Sequence, residues 1–180
     1  MLKSMGFYKG VNLGGWLSQC DYSKERMDTF ITESDFSKIA SWGLDHVRIP
    51  IDYNVVQNND GSIKKDGFNR IDTALDWCKK YNLNAVLDLH KTQGFFFHKD
   101  QNENGFFDDE TLQERFYALW TEFAKRYGKL NKNVAFELLN EVTEPVYIDA
   151  WNRISNECIK RIREFAPDTI VLVGSYHNNS

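Results

Sequence analysis

Five short apolar runs, separated by four stretches of helical periodicity, constrain this 180-residue chain more than any other feature. Alternation of this kind builds a parallel sheet from strand–helix units. The runs lie at residues 7–13, 46–51, 84–89, 133–139 and 169–173, with starts 36 to 49 residues apart, which is room for a strand, a helix and two connections. The first helix is expected to begin at Thr32, where Asp35 completes a capping box, to bury Phe36, Ile39 and Ala40, and to stop at Gly43. Phe68, Ile71, Leu75 and Cys78 form a second apolar stripe, and Leu112, Phe116, Leu119 and Phe123 a third. Trp151, Ile154, Cys158, Ile162 and Phe165 form a fourth, closed by Pro167. No linker or low-complexity segment divides the chain, so residues 1–180 read as one α/β unit without an internal boundary. Two architectures fit: an open doubly wound sheet, or strands 1–5 of an eight-stranded (β/α) barrel. Length favours the open sheet, because a complete barrel needs about 250 residues.

Charge and cysteine usage narrow the partners. With 22 Lys+Arg against 26 Asp+Glu, the formal charge is −4, a poor match for a phosphate backbone. No apolar run approaches the roughly 18 residues of a membrane span, so neither nucleic acid nor membrane is expected as a partner. Cys20, Cys78 and Cys158 have no Cys-x-x-Cys spacing and are expected as free thiols. Neither a metal nor a cofactor is expected. His90 and His98 stand eight apart on a loop without other ligands, and Gly14-Gly15 lacks the spacing of a phosphate-binding loop. Met1 to Gly10 contains no apolar stretch of signal-peptide length, so the expected location is cytoplasmic for the chain as written, and extracellular if a leader has been removed.

The chemistry collects at strand ends. In parallel α/β folds the active site forms at the C-terminal ends of the strands. The second run ends Val47-Arg48-Ile49-Pro50, the third Leu87-Asp88-Leu89-His90, and the fourth passes from Val134-Ala135-Phe136 into Glu137-Leu138-Leu139-Asn140-Glu141. Alternation along a strand puts Asp88 with His90, and Glu137 with Glu141. Asp88 and Glu137 sit deeper than the rim and read as structural partners for Arg48 or for backbone donors. Glu141 differs, since it follows Asn140 at the point where the run ends, and a polar neighbour can orient its carboxyl group.

Phe7-Tyr8-Lys9-Gly10-Val11-Asn12-Leu13-Gly14-Gly15-Trp16, His46-Val47-Arg48-Ile49-Pro50, Leu87-Asp88-Leu89-His90 and Ala135-Phe136-Glu137-Leu138-Leu139-Asn140-Glu141 resemble, in order, successive strands of glycoside hydrolase family 5. The resemblance runs through essentially the whole chain. It implies a (β/α)8 TIM barrel, of which this chain covers about strands 1–5, acting on β-glucan with retention of configuration. It implies that Glu141 is the general acid/base, that Asn140 binds the sugar 2-hydroxyl, and that Arg48 and His90 shape the subsite where the bond breaks. The family's nucleophilic Glu lies on a seventh strand, outside this sequence, so a C-terminal half-barrel becomes an expected partner.

The loop 90–98, with Phe106 and Phe107 beyond it, is expected on the active-site rim. His98 is a candidate subsite contact, and at least three of Phe95, Phe96, Phe97, Phe106 and Phe107 are expected to form a small core beneath the loop. Thr92-Gln93 stands where family members often carry a small residue and Pro. Trp16, at the end of the first strand, is a candidate sugar contact, with packing against the barrel base as the other reading. Three further readings stand beside the β-1,4-glucanase: a β-1,3-glucanase or mannanase of the same family, a carbohydrate-binding remnant without turnover, and an open five-stranded binding protein.

Overall fold

The computed structural model describes residues 5–98 and 103–174. Its elements run β1 (Gly10–Asn12), α1 (Lys24–Thr29), α2 (Glu33–Ser41), β2 (His46–Asp52), α3 (Tyr53–Val56), α4 (Lys65–Lys80), β3 (Asn84–Lys91), α5 (Glu110–Tyr127), β4 (Val134–Glu137), α6 (Ile148–Phe165) and β5 (Ile170–Leu172). All four strand pairings are parallel, in the order β1-β2-β3-β4-β5. That order decides between the two architectures. A doubly wound sheet reverses its strand order at a switch point, whereas a (β/α) barrel adds each strand beside the last. No reversal occurs among the described residues, so the open doubly wound sheet favoured by length is corrected to a partial barrel.

The two faces of the sheet differ sharply. Val47, Ile49, Ile51, Ala85, Leu87, Leu89, Val134 and Phe136 are buried in the main core, against the apolar sides of α2, α4, α5 and α6. The alternate positions Arg48, Asp52, Asp88, His90 and Glu137 carry the polar groups. Of the expected stripes, Phe36 and Ile39, the whole Phe68–Cys78 set, Phe116, Leu119 and Phe123, and Trp151 through Ile162 are buried. Phe165 is not. It is 44% exposed with Lys125 Nζ 4.8 Å from its ring centre, and Ala166 takes the buried place. At the start of α2 the Thr32 N–H donates to the Asp35 carboxylate at 2.7 Å, as a capping box requires. All three cysteines are free.

Strand boundaries shift for local reasons. β1 is shorter than residues 7–13 because the Tyr8 and Lys9 N–H groups donate to the Asp45 carboxylate instead of a strand neighbour. β4 closes at Glu137 rather than at 139. Beyond it only single bonds continue the ladder, from Leu138 N to Leu172 O and from Asn140 N to Leu89 O, both 3.1 Å.

Candidate active site

Arg48 is the hub of the strand-end cluster. From β2 it reaches β1, β3 and β4. Nη1 donates to Asn12 Oδ1 at 2.9 Å, Nη2 pairs with Asp88 Oδ2 at 2.9 Å, and Nε and Nη2 donate to Glu137 Oε2 and Oε1 at 2.7 and 2.8 Å. Nη2 also donates to Asn140 Oδ1 at 3.0 Å. The pairing with Glu137 is the two-point fork that guanidinium and carboxylate geometry favours. Burial alone would lower the Arg48 pKa. The Glu137 hydrogen bonds and the charges of Asp88, Glu137 and Glu141 overcome it, and the net shift is upward.

Asp88 is fully buried, and burial pushes its carboxyl group up to about 6, against the pull of the His90 hydrogen bond and the Arg48 charge. His90 is also buried and bonded at both ring nitrogens. Nδ1 lies 2.7 Å from Asp88 Oδ2, and Nε2 lies 3.1 Å from Gln19 Oε1. Its ring meets Phe97 edge-on at 5.4 Å, which ties the strand-end cluster to the loop after β3.

Asn140 and Glu141 leave β4 for the rim. With Asn140 Oδ1 committed to Arg48, its Nδ2 is buried and has no partner among the described residues, a donor left over in a polar site. Glu141 sits at φ 50°, a left-handed backbone that is costly for a residue with a side chain. The expectation that Glu141 shares a strand face with Glu137 is therefore corrected, because the strand has ended and the backbone turns between them. Glu141 instead lines a cleft of about 370 Å³ with Phe95, Phe97, His98, Glu144 and Tyr147.

The structure thus gathers Arg48, His90 and Asn140 into one bonded cluster, and places Glu141 and the exposed His98 on the adjoining cleft. Trp16 belongs to neither, and its candidacy as a sugar contact is corrected. It is 2% exposed, and its indole N–H donates to the Met27 carbonyl at 2.8 Å, so ring and polar tip are both consumed by packing on α1. Phe96, Phe106 and Phe107 are buried, and Phe106 packs on Phe116 of α5 with centroids 5.2 Å apart. The separate small core expected beneath the loop is therefore corrected: Phe106 and Phe107 join the main core against α5, and Phe96 is buried outside it.

Sequence reasoning missed Gln19 and Asp52. Asp52 is fully buried at the end of β2, where its Oδ2 accepts the Tyr22 hydroxyl at 2.5 Å and the Gln19 N–H at 3.0 Å. Burial raises its pKa, opposed by those two hydrogen bonds. An acidic residue after Ile51, two places on from Pro50, was the available signal.

Sequentially ordered parallel strands with a polar cluster at their C-terminal ends define part of a (β/α)8 barrel. The model of the cellulase family, glycosyl hydrolase family 5, matches residues 8–180, and the chain belongs to that family. It is 61% identical over 180 residues to cellodextrinase A of Ruminococcus flavefaciens, covering 100% of this chain and 54% of that one. It is 46% identical over 179 residues to endoglucanase C of Acetivibrio thermocellus, covering 98% and 52%. Endoglucanase Cel5A of Thermotoga maritima superposes with a TM-score of 0.78 at 26% identity, covering 98% of this chain and 53% of that structure. The chain spans about half the length of these relatives.

Proposed function

We propose that this chain forms the acid/base side of a retaining β-glucan hydrolase, with β-1,4-linked glucan as substrate and the nucleophilic carboxylate supplied by the second half of the barrel. A retaining glycosidase needs two carboxyl groups about 5 Å apart, one to protonate the leaving oxygen and one to attack the anomeric carbon. Glu141 is the acid/base in this reading, and its place on the cleft wall, one residue beyond the Arg48-bound Asn140, is the observation that carries it. Asn140, its amide held through Oδ1 by Arg48, is in this reading the residue that binds the sugar 2-hydroxyl, while His90 shapes the subsite where the bond breaks and His98 contacts a sugar farther along the cleft. Substrate choice rests on the names of the two relatives, a cellodextrinase and an endoglucanase.

Glu137 is a poor candidate for the second carboxylate, because Arg48 holds both of its oxygens. In this reading the nucleophile comes from a partner half-barrel, in the same polypeptide or a separate one, as the seventh-strand Glu of the family resemblance implies.

The test is substitution of the acid in the complete barrel. Glu141→Gln should abolish most turnover of a glucan with a poor leaving group yet spare glycosylation by a dinitrophenyl glycoside, whose departure needs no proton. Equal loss on both substrates would remove Glu141 from the acid role. Proton NMR of the first anomer released should show β, and an initial α-anomer would end the retaining reading.

A further inference from the structure

Gln19 lies 71 residues from His90 in sequence, yet its side-chain amide meets His90 Nε2 at 3.1 Å. We propose that Gln19 is a positioning residue that, held by buried Asp52, fixes the ring of His90 from the side opposite Asp88. This inference rests on the hydrolase reading only for its effect on turnover.

Three observations converge on it. Gln19 adopts φ 50° and Tyr22 φ 55°, so the segment after β1 carries two left-handed residues with side chains. Such conformations persist only where their surroundings dictate them, and here one buried carboxylate does so. Asp52 Oδ2 accepts both the Gln19 N–H and the Tyr22 hydroxyl. The Gln19 side chain is therefore presented from a fixed backbone, although it stands at the exposed rim.

The choice of an amide at this position has a chemical reason. Nδ1 of His90 faces the Asp88 carboxylate, which can only accept when ionised, so Nδ1 carries the proton in that state. Nε2 then presents either a lone pair or a second N–H. An amide can donate to the first or, turned over, accept from the second, so Gln19 holds the ring in either state without adding charge beside Asp88, Arg48 and Glu137. A carboxylate in its place would only accept, and an aliphatic side chain would do neither.

The experiment is ¹⁵N NMR of the histidine rings in the complete barrel, with His90 assigned by its loss in His90→Asn. Gln19→Glu should draw the two His90 ring nitrogens toward the doubly protonated position at neutral pH, because acceptors then face both. Gln19→Ala should leave Nε2 open to water, with faster exchange of any proton it holds, and should lower kcat/KM on β-glucan by about 10- to 100-fold, as misplaced catalytic groups do. Unchanged ring signals in both variants would overturn the proposal. Shifted signals in a protein that hydrolyses no glucan would support the positioning role and defeat the hydrolase reading instead.

Discussion

Arg48 on β2 grips both carboxylate oxygens of Glu137 on β4, at 2.7 and 2.8 Å, across the intervening strand β3. Between them lies Asp88, fully buried and 2.9 Å from the same guanidinium. One cation thus answers two carboxylates, and its removal leaves Glu137 without its fork and Asp88 with the His90 hydrogen bond alone. Breaking a buried ion pair from one side costs about 3–5 kcal/mol, so Arg48→Met should destabilise the fold by about 3 kcal/mol, the low end reflecting partial exposure of Arg48 and Glu137. Arg48→Lys should recover only part of this, because an ammonium cannot reproduce the fork. Urea denaturation measures both, and a Met variant within 1 kcal/mol of the parent would refute the hub.

Asp88 gives the fold a specific response to pH. Its carboxyl group titrates near 3.8 in the unfolded chain and is pushed up to about 6 by burial in the folded one, so between these values the folded state binds more protons. Stability from this group is fully present below pH 4 and declines as pH rises to about 6. The Asp88→Asn variant lacks that decline. Whatever its stability relative to the parent at pH 4, it should gain on the parent at pH 5 and again at pH 6, as read by thermal melting at each pH. A constant difference across the series would mean that folding leaves the Asp88 carboxyl group titrating as it does in the unfolded chain.

The main helices and the sheet were legible because their signals are local. Runs such as 46–51 and 84–89 and stripes such as Phe68 to Cys78 repeat within a few residues of themselves. The short helices α1 and α3, of 6 and 4 residues, were not legible, because neither is long enough to show a period. Strand order was hidden as well, since alternation of strands and helices is common to the open sheet and the barrel. Within the site, the ion-pair roles of Asp88 and Glu137 followed from charges inside an apolar strand. Trp16 was ambiguous because a Trp at a strand end looks the same whichever way its indole turns, and the Met27 carbonyl decided it. Gln19 was invisible, because only a contact 71 residues away distinguishes it from any polar loop residue.

Close approach of two helices supplies a prediction in which two effects oppose. A Cβ on Gly67, in the first turn of α4, would stand 2.1 Å from the Val55 carbonyl oxygen of α3. Alanine favours a helix over glycine by about 1 kcal/mol, but overpacking costs about 1–3 kcal/mol and the obstacle here is backbone that cannot rotate aside. The clash wins. Gly67→Ala should destabilise the protein by about 1–2 kcal/mol in urea denaturation, and a stabilised variant would show that α3 moves away freely.

Residues 1–180 expressed alone expose surface that the rest of a barrel would cover. β5 pairs with β4 on one side and has no neighbour on the other among the described residues, so an unpaired strand edge and the interior face of an unclosed barrel meet water. Such a surface should drive association, visible as concentration-dependent elution in size exclusion. The chemical consequence is separate. In the reading proposed above Glu141 is the one acting carboxyl group of these residues, and general acid catalysis alone is worth about 10²- to 10⁴-fold, far short of what glycoside hydrolysis requires. Residues 1–180 should therefore show no turnover of a soluble β-glucan until the C-terminal half is added in trans or joined in the same chain. Adding it should restore hydrolysis and a single species in size exclusion together. Turnover by purified 1–180 that disappears in Glu141→Gln would place the second carboxylate within these residues, with Glu144 on the same cleft and Arg48-bound Glu137 as its candidates.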